Sequence, residues 1–511
     1  MKNIVSIFGG HDANITFFNG QYHVIEIERL LKKRYTGLYT VDINLKDEEI
    51  SEILERCQNI AADFWGIKNN YECVLINSQW KRSKLLIQNV FKSDKYLTLT
   101  NHHYTHAYSA FYQSPYKEAL ILSYDGGGEK EYFNFYLGNS NGITLLNKIP
   151  INMGQGYWRS ASLIKQITER SKSRRSYAGK LMGLAGYGKV RNDLLKHLRQ
   201  FFLTRDGKIL DMIKGGNCYQ GAGGENFAAT IQQTLEDLLF KELDKYDNQL
   251  PLVVTGGCAL NVVVNEKIKN RYQRKVYVPP NPNDSGLSLG HLFCYKKPKE
   301  RVDVTYNGLP LLDKNKLNNY KTKKITKKEI ARLIKEGKII GLIYGDSEVG
   351  PRALGNRSII CDPSIPEMKE ILNSKIKHRE AYRPFAPVCK KEEAHKYFES
   401  NDFENMEYMS FAVKVKVDTL PSITHVDGTA RLQTVTKKSH LHFYNLLTEF
   451  GKISETNVLL NTSFNTRGKP ILSTISDAVK ILDYVIVDDY LLINQINNQL
   501  SGSVYSQRSY S

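Results

Sequence analysis

Residues 3–8, Asn-Ile-Val-Ser-Ile-Phe, form a short and nearly unbroken apolar run, the pattern of a strand covered on both faces. Residues 13–18 and 21–27 continue in the same style, and Asn19-Gly20 between them predicts a tight hairpin. From 48 to 66 the apolar positions change to helical spacing. Strand character returns at 73–77, and the Lys/Leu-rich stretch 83–91 predicts a helix. The run 119–123 is apolar and stops at Asp125-Gly126-Gly127-Gly128, and 132–138 and 143–148 read as further strands. Residues 252–255 make a short strand that closes on Gly256-Gly257. Residues 326–337 predict a Lys-rich amphipathic helix, with a strand at 339–344 after it. Strands and helices interleaved in this way predict an α/β protein. The stretch 296–325 is rich in Lys and Asn and weakly periodic, so it reads as a linker. The expected division is a first domain at 1–310 and a second at 311–511.

Composition narrows the class. At 511 residues the chain has room for two to four domains of roughly 150 residues each. Apolar residues make up 41% and charged residues 24%, which excludes a disordered or fibrous chain. No apolar run approaches the ~18 to 20 residues that span a bilayer. The start, Met1-Lys2-Asn3-Ile4-Val5, enters a strand pattern without a signal-peptide core, so a cytoplasmic protein is expected, in the host cytoplasm if viral. The 7 cysteines are odd in number and include no CxxC pair. Reduced thiols are expected, and a Cys-based zinc site is not.

Charge adds a partner class. The net charge of +18 sits in two places. Residues 158–199 hold 11 basic and 2 acidic residues, and 296–338 hold 14 and 5, so each segment carries +9 and the remainder is neutral. In the first segment Arg170, Lys172, Arg174, Arg175 and Tyr177 interleave cations with an aromatic ring. That composition suits nucleic acid, an anionic polysaccharide or nucleotide phosphates. A solvated Lys-rich surface has the same composition, and charge alone does not separate the two.

Three constellations carry chemistry. His102 and His106 in Asn101-His102-His103-Tyr104-Thr105-His106 stand one helical turn apart, a spacing that suits two imidazoles on one metal. Asp125, at a strand end before glycines, and Asp284, before a small-residue helix, are candidate further ligands. Such a mixed N/O set suits iron, manganese or zinc. Two histidines stacked for packing alone would show the same spacing. Glycine turns at Gly9-Gly10, Gly126-Gly127-Gly128 and Gly256-Gly257 all follow strands, the layout of a nucleotide cleft built from duplicated halves. None fits a Walker or dinucleotide fingerprint. Finally, Arg352, Arg357, Lys377, Arg379 and Arg383 are punctuated by Pro and Gly, which predicts a pocket for phosphate or carboxylate. A structural ion-pair network would use the same residues.

Gly350-Pro351-Arg352-Ala353-Leu354-Gly355-Asn356-Arg357-Ser358, Arg383-Pro384-Phe385-Ala386-Pro387, His425–Val435 and Asn461–Asn465 together resemble the ATP-dependent O-carbamoyltransferases of antibiotic and nodulation-factor biosynthesis. Gly9–Asp12 and the His102–Asp125 block fit the same family, and the likeness covers nearly the whole chain. Ala185-Gly186-Tyr187-Gly188 departs from the family's usual Ala-Pro-Tyr-Gly.

The resemblance implies a duplicated actin/sugar-kinase-like (ASKHA) domain with a metal site, joined to a C-terminal YrdC-like α/β domain. It implies carbamoyl phosphate and ATP as substrates, Mg2+ with the nucleotide, and Fe2+ or another divalent metal at His102, His106, Asp125 and Asp284. Arg352, Lys377, Arg383 and Arg431 would clamp phosphates, with Asn461, Ser463 and Asn465 nearby. Gly127, Gly128, Gly256, Gly257 and Asn261 would line an adenylate cleft, and His11 would serve the acceptor as base or orienter. Lys32, Lys33 and Arg34 receive no role from it.

The acceptor is read from charge. A hydroxymethylated pyrimidine in DNA, 5-hydroxymethylcytosine, would explain the two basic segments. A small-molecule or oligosaccharide hydroxyl, as in an antibiotic, nodulation factor or surface glycan, is the alternative. A tRNA threonylcarbamoyl-type transferase and a non-catalytic nucleotide-binding protein are lesser ones. A homodimer is expected.

Overall fold

The computed structural model describes residues 3–38, 45–77, 84–99, 101–127, 132–169, 171, 173–214, 218–246 and 249–493. Two five-stranded sheets of one topology come first. The first contains β1 (Asn3–Phe8), β2 (Asn14–Phe18), β3 (Tyr22–Glu26), β4 (Tyr71–Asn77) and β5 (Tyr96–Leu99), in the order β3-β2-β1-β4-β5. The second contains β6 (Ala119–Tyr124), β7 (Phe133–Asn139), β8 (Gly142–Ile149), β9 (Leu252–Thr255) and β10 (Val276–Tyr277), in the order β8-β7-β6-β9-β10. In each, three antiparallel strands are followed by two parallel ones reached through helices. The halves are therefore duplicates, as the glycine turns predicted. The unbroken apolar runs follow from burial, since Ile15, Ile25, Val74 and Leu122 are all fully enclosed.

Each fifth strand leads into a helix, His102–Gln113 in the first half and Leu287–Lys296 in the second. The two helices pack against each other, and Gly290 lies on the Thr105 backbone so closely that a side chain would collide with it. This contact is the local axis of the duplication.

The second half carries a helical insertion between β8 and β9. Its longest members are Asn192–Thr204 and Gly221–Leu243, and Tyr157, Leu198, Phe201, Phe202 and Phe227 form its core. The first basic segment lies here; Lys165, Arg174 and Lys196 in it are exposed, whereas Lys180 is buried.

The C-terminal part holds β11 (Lys321–Lys324), β12 (Ile340–Ile343), β13 (Arg357–Cys361), β14 (Ala386–Lys390), β15 (Phe398–Glu399), β16 (Ala412–Val415), β17 (Thr429–Arg431), β18 (Gln433–Val435), β19 (Val458–Ser463), β20 (Tyr484–Val487) and β21 (Tyr490–Ile493). Eight of them form a mixed sheet, β11-β21-β20-β12-β13-β19-β14-β18, and β15-β16-β17 form a small antiparallel one.

The stretch 296–325 corrects the linker reading. Val304, Leu309 and Leu311 in it are buried, each in a different apolar cluster. Val24 N donates to Asn307 O at 2.8 Å, Gly308 N to Ser347 O at 2.9 Å, and Leu312 N to Ser473 O at 3.0 Å. Ile325, at its end, is buried in a fourth cluster, so anchors set among lysines and asparagines reach separate cores without a common period.

Arg29 fastens the same boundary. Its guanidinium, about 1% exposed, donates to Glu348 O at 2.6 Å and Gly350 O at 2.5 Å and pairs with Glu26 at 2.8 Å. Gly350 itself has a φ of 102°, and a side chain there would land on the Pro280 carbonyl oxygen.

Candidate metal centre and anion pocket

The N-terminal end of the His102–Gln113 helix is set by Asn101, whose side chain accepts the Tyr104 N–H. His102 is thus the first helical residue and His106 lies one turn on, on the same face. Asp125 follows β6 directly, and Asp284 opens the short turn before the Leu287–Lys296 helix. Asp284 reaches the site because Asn14 on β2 donates to its carbonyl at 2.8 Å and accepts Ser288 N at 3.0 Å.

The four side chains converge, with their ligand atoms all within 4.8 Å of one another. His106 Nε2 lies 3.1 Å from Asp125 Oδ2, 3.3 Å from Asp284 Oδ1 and 3.2 Å from His102 Nε2. His102 Nε2 lies 3.6 Å from Asp125 Oδ2 and 3.5 Å from Asp284 Oδ1. One imidazole N–H cannot serve three partners at once, whereas a divalent cation among two nitrogens and two carboxylate oxygens satisfies all four groups. The donor set fits such a cation.

His11 stands beside this cluster in the turn after β1. Its Nε2 is 3.3 Å from Asp284 Oδ2 and its Nδ1 is 3.4 Å from Asp12 Oδ2. Burial lowers its pKa, but Asp284 and Asp12 outweigh burial and raise it to about 9. Asp284 therefore has one oxygen toward the cluster and the other toward His11. Behind them, burial pushes His103, bonded to Ser123 Oγ at 2.9 Å, and His291 down to about 3, so both are neutral packing groups.

The glycine turns flank Asp125. Gly257 N donates to Asp125 Oδ2 at 3.1 Å, and Gly127 opens onto free space. Gly256 has a φ of 90°, and a side chain would strike the Tyr124 carbonyl oxygen. Gly128 lies outside the described residues, as do Arg170 and Lys172. Asn261 accepts Val264 N as a helix cap and donates to Gln232 at 3.0 Å. Gln232 lines a cleft of about 780 Å³, with Gly186, Glu266 and Lys267 on one side and Lys414 and Thr429 of the C-terminal part on the other.

The C-terminal cations gather in a second site. Arg352, Lys377, Arg379, Arg383 and Arg431 are joined there by Arg34, which comes from the loop after the first hairpin. Burial, and then Arg431, Arg383 and Arg34, hold the Arg352 guanidinium well below its usual range. Burial, then Arg379 and Arg383, lower Arg431 to about 10. Arg352 and Arg431 make no hydrogen bond or ion pair among the described residues, and the buried Nε atoms of Arg34 and Arg431 have no acceptor. Guanidinium groups keep their protons, so this repulsion is relieved by an anion.

Several expected residues serve the pocket indirectly. Lys377 Nζ donates to Asn465 Oδ1 at 2.9 Å, to Asn465 O at 3.0 Å and to Ser463 O. Asn461 is fully buried and bridges Ala353 O and Gln433. Arg357, part of the same sequence run, is not in the pocket. It donates to the carbonyls of Tyr344, Asn356 and Gly345 and holds the fold. Arg34 was missed because its loop shows no periodicity. The signal was its place six residues after Glu28 in a basic run, Lys32-Lys33-Arg34.

The two sites adjoin. Arg352 shares a small gap with Ala259, Pro280 and Pro282, on the turns that carry Gly257 and Asp284.

Residues 54–292 match the family model described as carbamoyltransferase N-terminus, and 331–498 match carbamoyltransferase C-terminus. The chain is 32% identical over 443 residues to the nodulation protein NolO of Bradyrhizobium diazoefficiens, covering 77% of this chain and 78% of the relative. It is 28% identical over 450 residues to the 3'-hydroxymethylcephem-O-carbamoyltransferase of Streptomyces clavuligerus, covering 81% and 82%. Among solved structures, the activator of the 2-hydroxyisocaproyl-CoA dehydratase of Clostridium difficile, with bound ADPNP, is 14% identical with a TM-score of 0.35, over 58% of this chain and 98% of that one.

Proposed function

The chain belongs to the carbamoyltransferase family, and from that premise we propose that it is an ATP-dependent O-carbamoyltransferase working through carbamoyl adenylate. The observation that carries this reading is the nearness of the two sites: Arg352 of a pocket of partly buried cations borders the turns that carry Gly257 and Asp284, beside a cluster fit for a divalent metal. A mixed anhydride of carbamate and AMP needs both, one to form it and one to spend it.

In this reading residues 311–511 form the adenylate. Arg34, Arg352, Arg383 and Arg431 neutralise the phosphates of carbamoyl phosphate and Mg-ATP without changing protonation. Lys377 is fixed at the pocket wall by Ser463 and Asn465, and burial, then Arg379, Arg383 and Arg34, hold its pKa well below the usual lysine range. Water first cleaves carbamoyl phosphate to carbamate and phosphate; a carbamate oxygen then attacks the α-phosphorus of ATP, and the bond to pyrophosphate breaks. Residues 1–310 then take the adenylate, with Gly127, Gly256 and Gly257 allowing its phosphate close to the backbone and the 780 Å³ cleft receiving the nucleoside. His102, His106, Asp125 and Asp284 would hold Fe2+ or another divalent ion, which supplies Lewis-acid polarisation when bound. His11, held between Asp12 and Asp284, orients the acceptor hydroxyl, whose oxygen displaces AMP from the carbamoyl carbon while its proton passes to the departing AMP phosphate.

Two acceptor classes follow from two observations. Many cations of the basic segments are engaged within the protein, as in Arg199–Asp237, Lys180–Glu380, Lys314–Asp488 and Lys327–Asp489, which favours a small-molecule or glycan hydroxyl. The remaining surplus of charge favours a polyanion such as DNA carrying 5-hydroxymethylcytosine.

The test supplies ATP, Mg2+, carbamoyl phosphate and Fe2+ with hydroxymethylcytosine DNA, ordinary DNA, a hydroxymethylcephem or no acceptor. Products are read by mass spectrometry. One carbamoyl group gained only on the hydroxymethylated base establishes the DNA reading, and a gain only on the cephem establishes the small-molecule one. Absence of carbamoyl-phosphate-dependent pyrophosphate would sink the adenylate route itself.

A further inference from the structure

Lys180 lies on the Tyr177–Ala185 helix, inside the first basic segment, yet its side chain is only about 5% exposed. Its Nζ reaches Glu380 Oε1 at 2.6 Å, Ser171 Oγ at 2.7 Å and Ile167 O at 3.4 Å. Those three acceptors use the three protons of the ammonium, so Lys180 is spent inside the protein and forms no part of a surface for polyanions. Burial lowers its pKa, and the pair with Glu380 opposes that.

Glu380 belongs to the other side. It follows Lys377 and Arg379 in the anion pocket and is 7% exposed. Its second oxygen, Oε2, faces Arg383 Nη1 at 3.9 Å, and Arg383 N donates to Glu380 O at 3.2 Å. One carboxylate therefore faces two cations, bonded closely to one and loosely to the other. The same helix makes a second contact with the C-terminal part, His425 Nε2 to Gly183 O at 2.9 Å.

The distances define an electrostatic competition. Glu380 held by Lys180 leaves the Arg383 charge largely free for an anion. Glu380 without Lys180 is a buried carboxylate whose nearest cation is Arg383, and a buried charge without a partner is costly enough to move a neighbour. Arg383 would close the gap to Glu380 and turn from the pocket.

We propose that Lys180 and Glu380 are positioning residues: the helix of the N-terminal part holds the Glu380 carboxylate away from Arg383 and so keeps that guanidinium available to phosphate. The inference rests on the anion-pocket half of the function proposed above, and it makes docking of this helix a condition for adenylate formation. Carbamoyl phosphate and ATP would then be consumed only when the transfer side is in place.

The test uses the full chain and pyrophosphate alone as the anion probe, titrated by calorimetry. Lys180→Met is expected to weaken pyrophosphate binding about tenfold, the loss of one charge-assisted contact. Lys180→Met/Glu380→Gln is expected to regain most of it, because an uncharged amide does not capture Arg383. Thermal unfolding of each variant, Glu380→Gln alone included, separates folding from binding. In turnover the same order should appear in KM for carbamoyl phosphate, with kcat for pyrophosphate release less affected. Unchanged binding in Lys180→Met, or no rescue in a double variant that unfolds like wild type, would overturn the proposal. Should wild type bind pyrophosphate but never release it from ATP, the adenylate reading falls, while the binding series still decides the role of Lys180.

Discussion

His102 and Asp284 are structural counterparts in a duplicated fold, and they meet at its axis. Each stands where the chain leaves the fifth strand of its sheet and enters the next helix, and His102 Nε2 lies 3.5 Å from Asp284 Oδ1. Asp125 and His11 show the same relation, each in the turn after the first strand of its half. The cluster is thus assembled by pairing equivalent turns from the two halves, which explains why its residues are spread along the chain.

Replacement of His106 should separate metal binding from nucleotide chemistry. His106→Ala is expected to lower bound metal, measured by elemental analysis, by about tenfold or more. Carbamoyl-phosphate-dependent pyrophosphate release should stay within about twofold of wild type, since the anion pocket does not use the imidazole. Retention of full metal content in this variant would remove His106 from the ligand set.

Arg34, half-buried, and Arg357, fully buried, should behave oppositely. Arg34→Ala is expected to raise KM for carbamoyl phosphate about tenfold with little change in stability. Arg357→Met leaves three carbonyls, those of Tyr344, Asn356 and Gly345, without their donor. It is expected to cost about 2 to 4 kcal/mol in denaturant unfolding, with the affinity of the surviving folded protein near normal.

Arg29 should be a stability residue for the junction. Arg29→Met strands the Glu26 carboxylate and unties Glu348 and Gly350. Loss of one partner from a buried pair costs about 3 to 5 kcal/mol, and limited proteolysis should then cut first within the 296–325 strap. Equal resistance to protease would show that the strap is held by its apolar anchors alone.

His440 should impose an acid limit on the C-terminal part. Its Nε2–H donates to Asn356 Oδ1 at 3.0 Å, and its Nδ1 accepts Phe443 N at 3.1 Å, a pattern that only the neutral ring supplies. Burial, with His442 and Lys327 adding, lowers its pKa from 6.5 to about 4. The unfolded chain therefore binds the proton first as pH falls. Stability from this group is complete above pH about 6.5 and is lost progressively down to about 4, up to about 3 kcal/mol. His440→Asn should flatten that part of a stability–pH curve measured by urea unfolding, and an unchanged slope would assign the acid limit to other groups.

Local features were readable because they depend on neighbours in sequence. The hairpin at Asn19-Gly20, the buried strands of both halves and the one-turn spacing of His102 and His106 follow from backbone sterics and side-chain period, and the structure keeps them. The strap at 296–325 was misread because its buried anchors Val304, Leu309, Leu311 and Ile325 reach four separate cores and so share no period. The helical insertion between β8 and β9 was also unread; its longest helix, Gly221–Leu243, lies beyond the basic run 158–199 and is buried along most of its length.

By itself the sequence determined the α/β class, the duplicated glycine turns, the surplus of cations in the C-terminal part and the pair of histidines on one helix face. Tertiary structure alone decided that Asp125 and Asp284 close the metal cluster, that Arg34 enters the anion pocket while Arg357 leaves it, and that Lys180 faces Glu380. Each of those outcomes depends on how one half, or one part, docks on another. That docking is a sum of many long-range contacts, and no period or spacing within a single segment carries it.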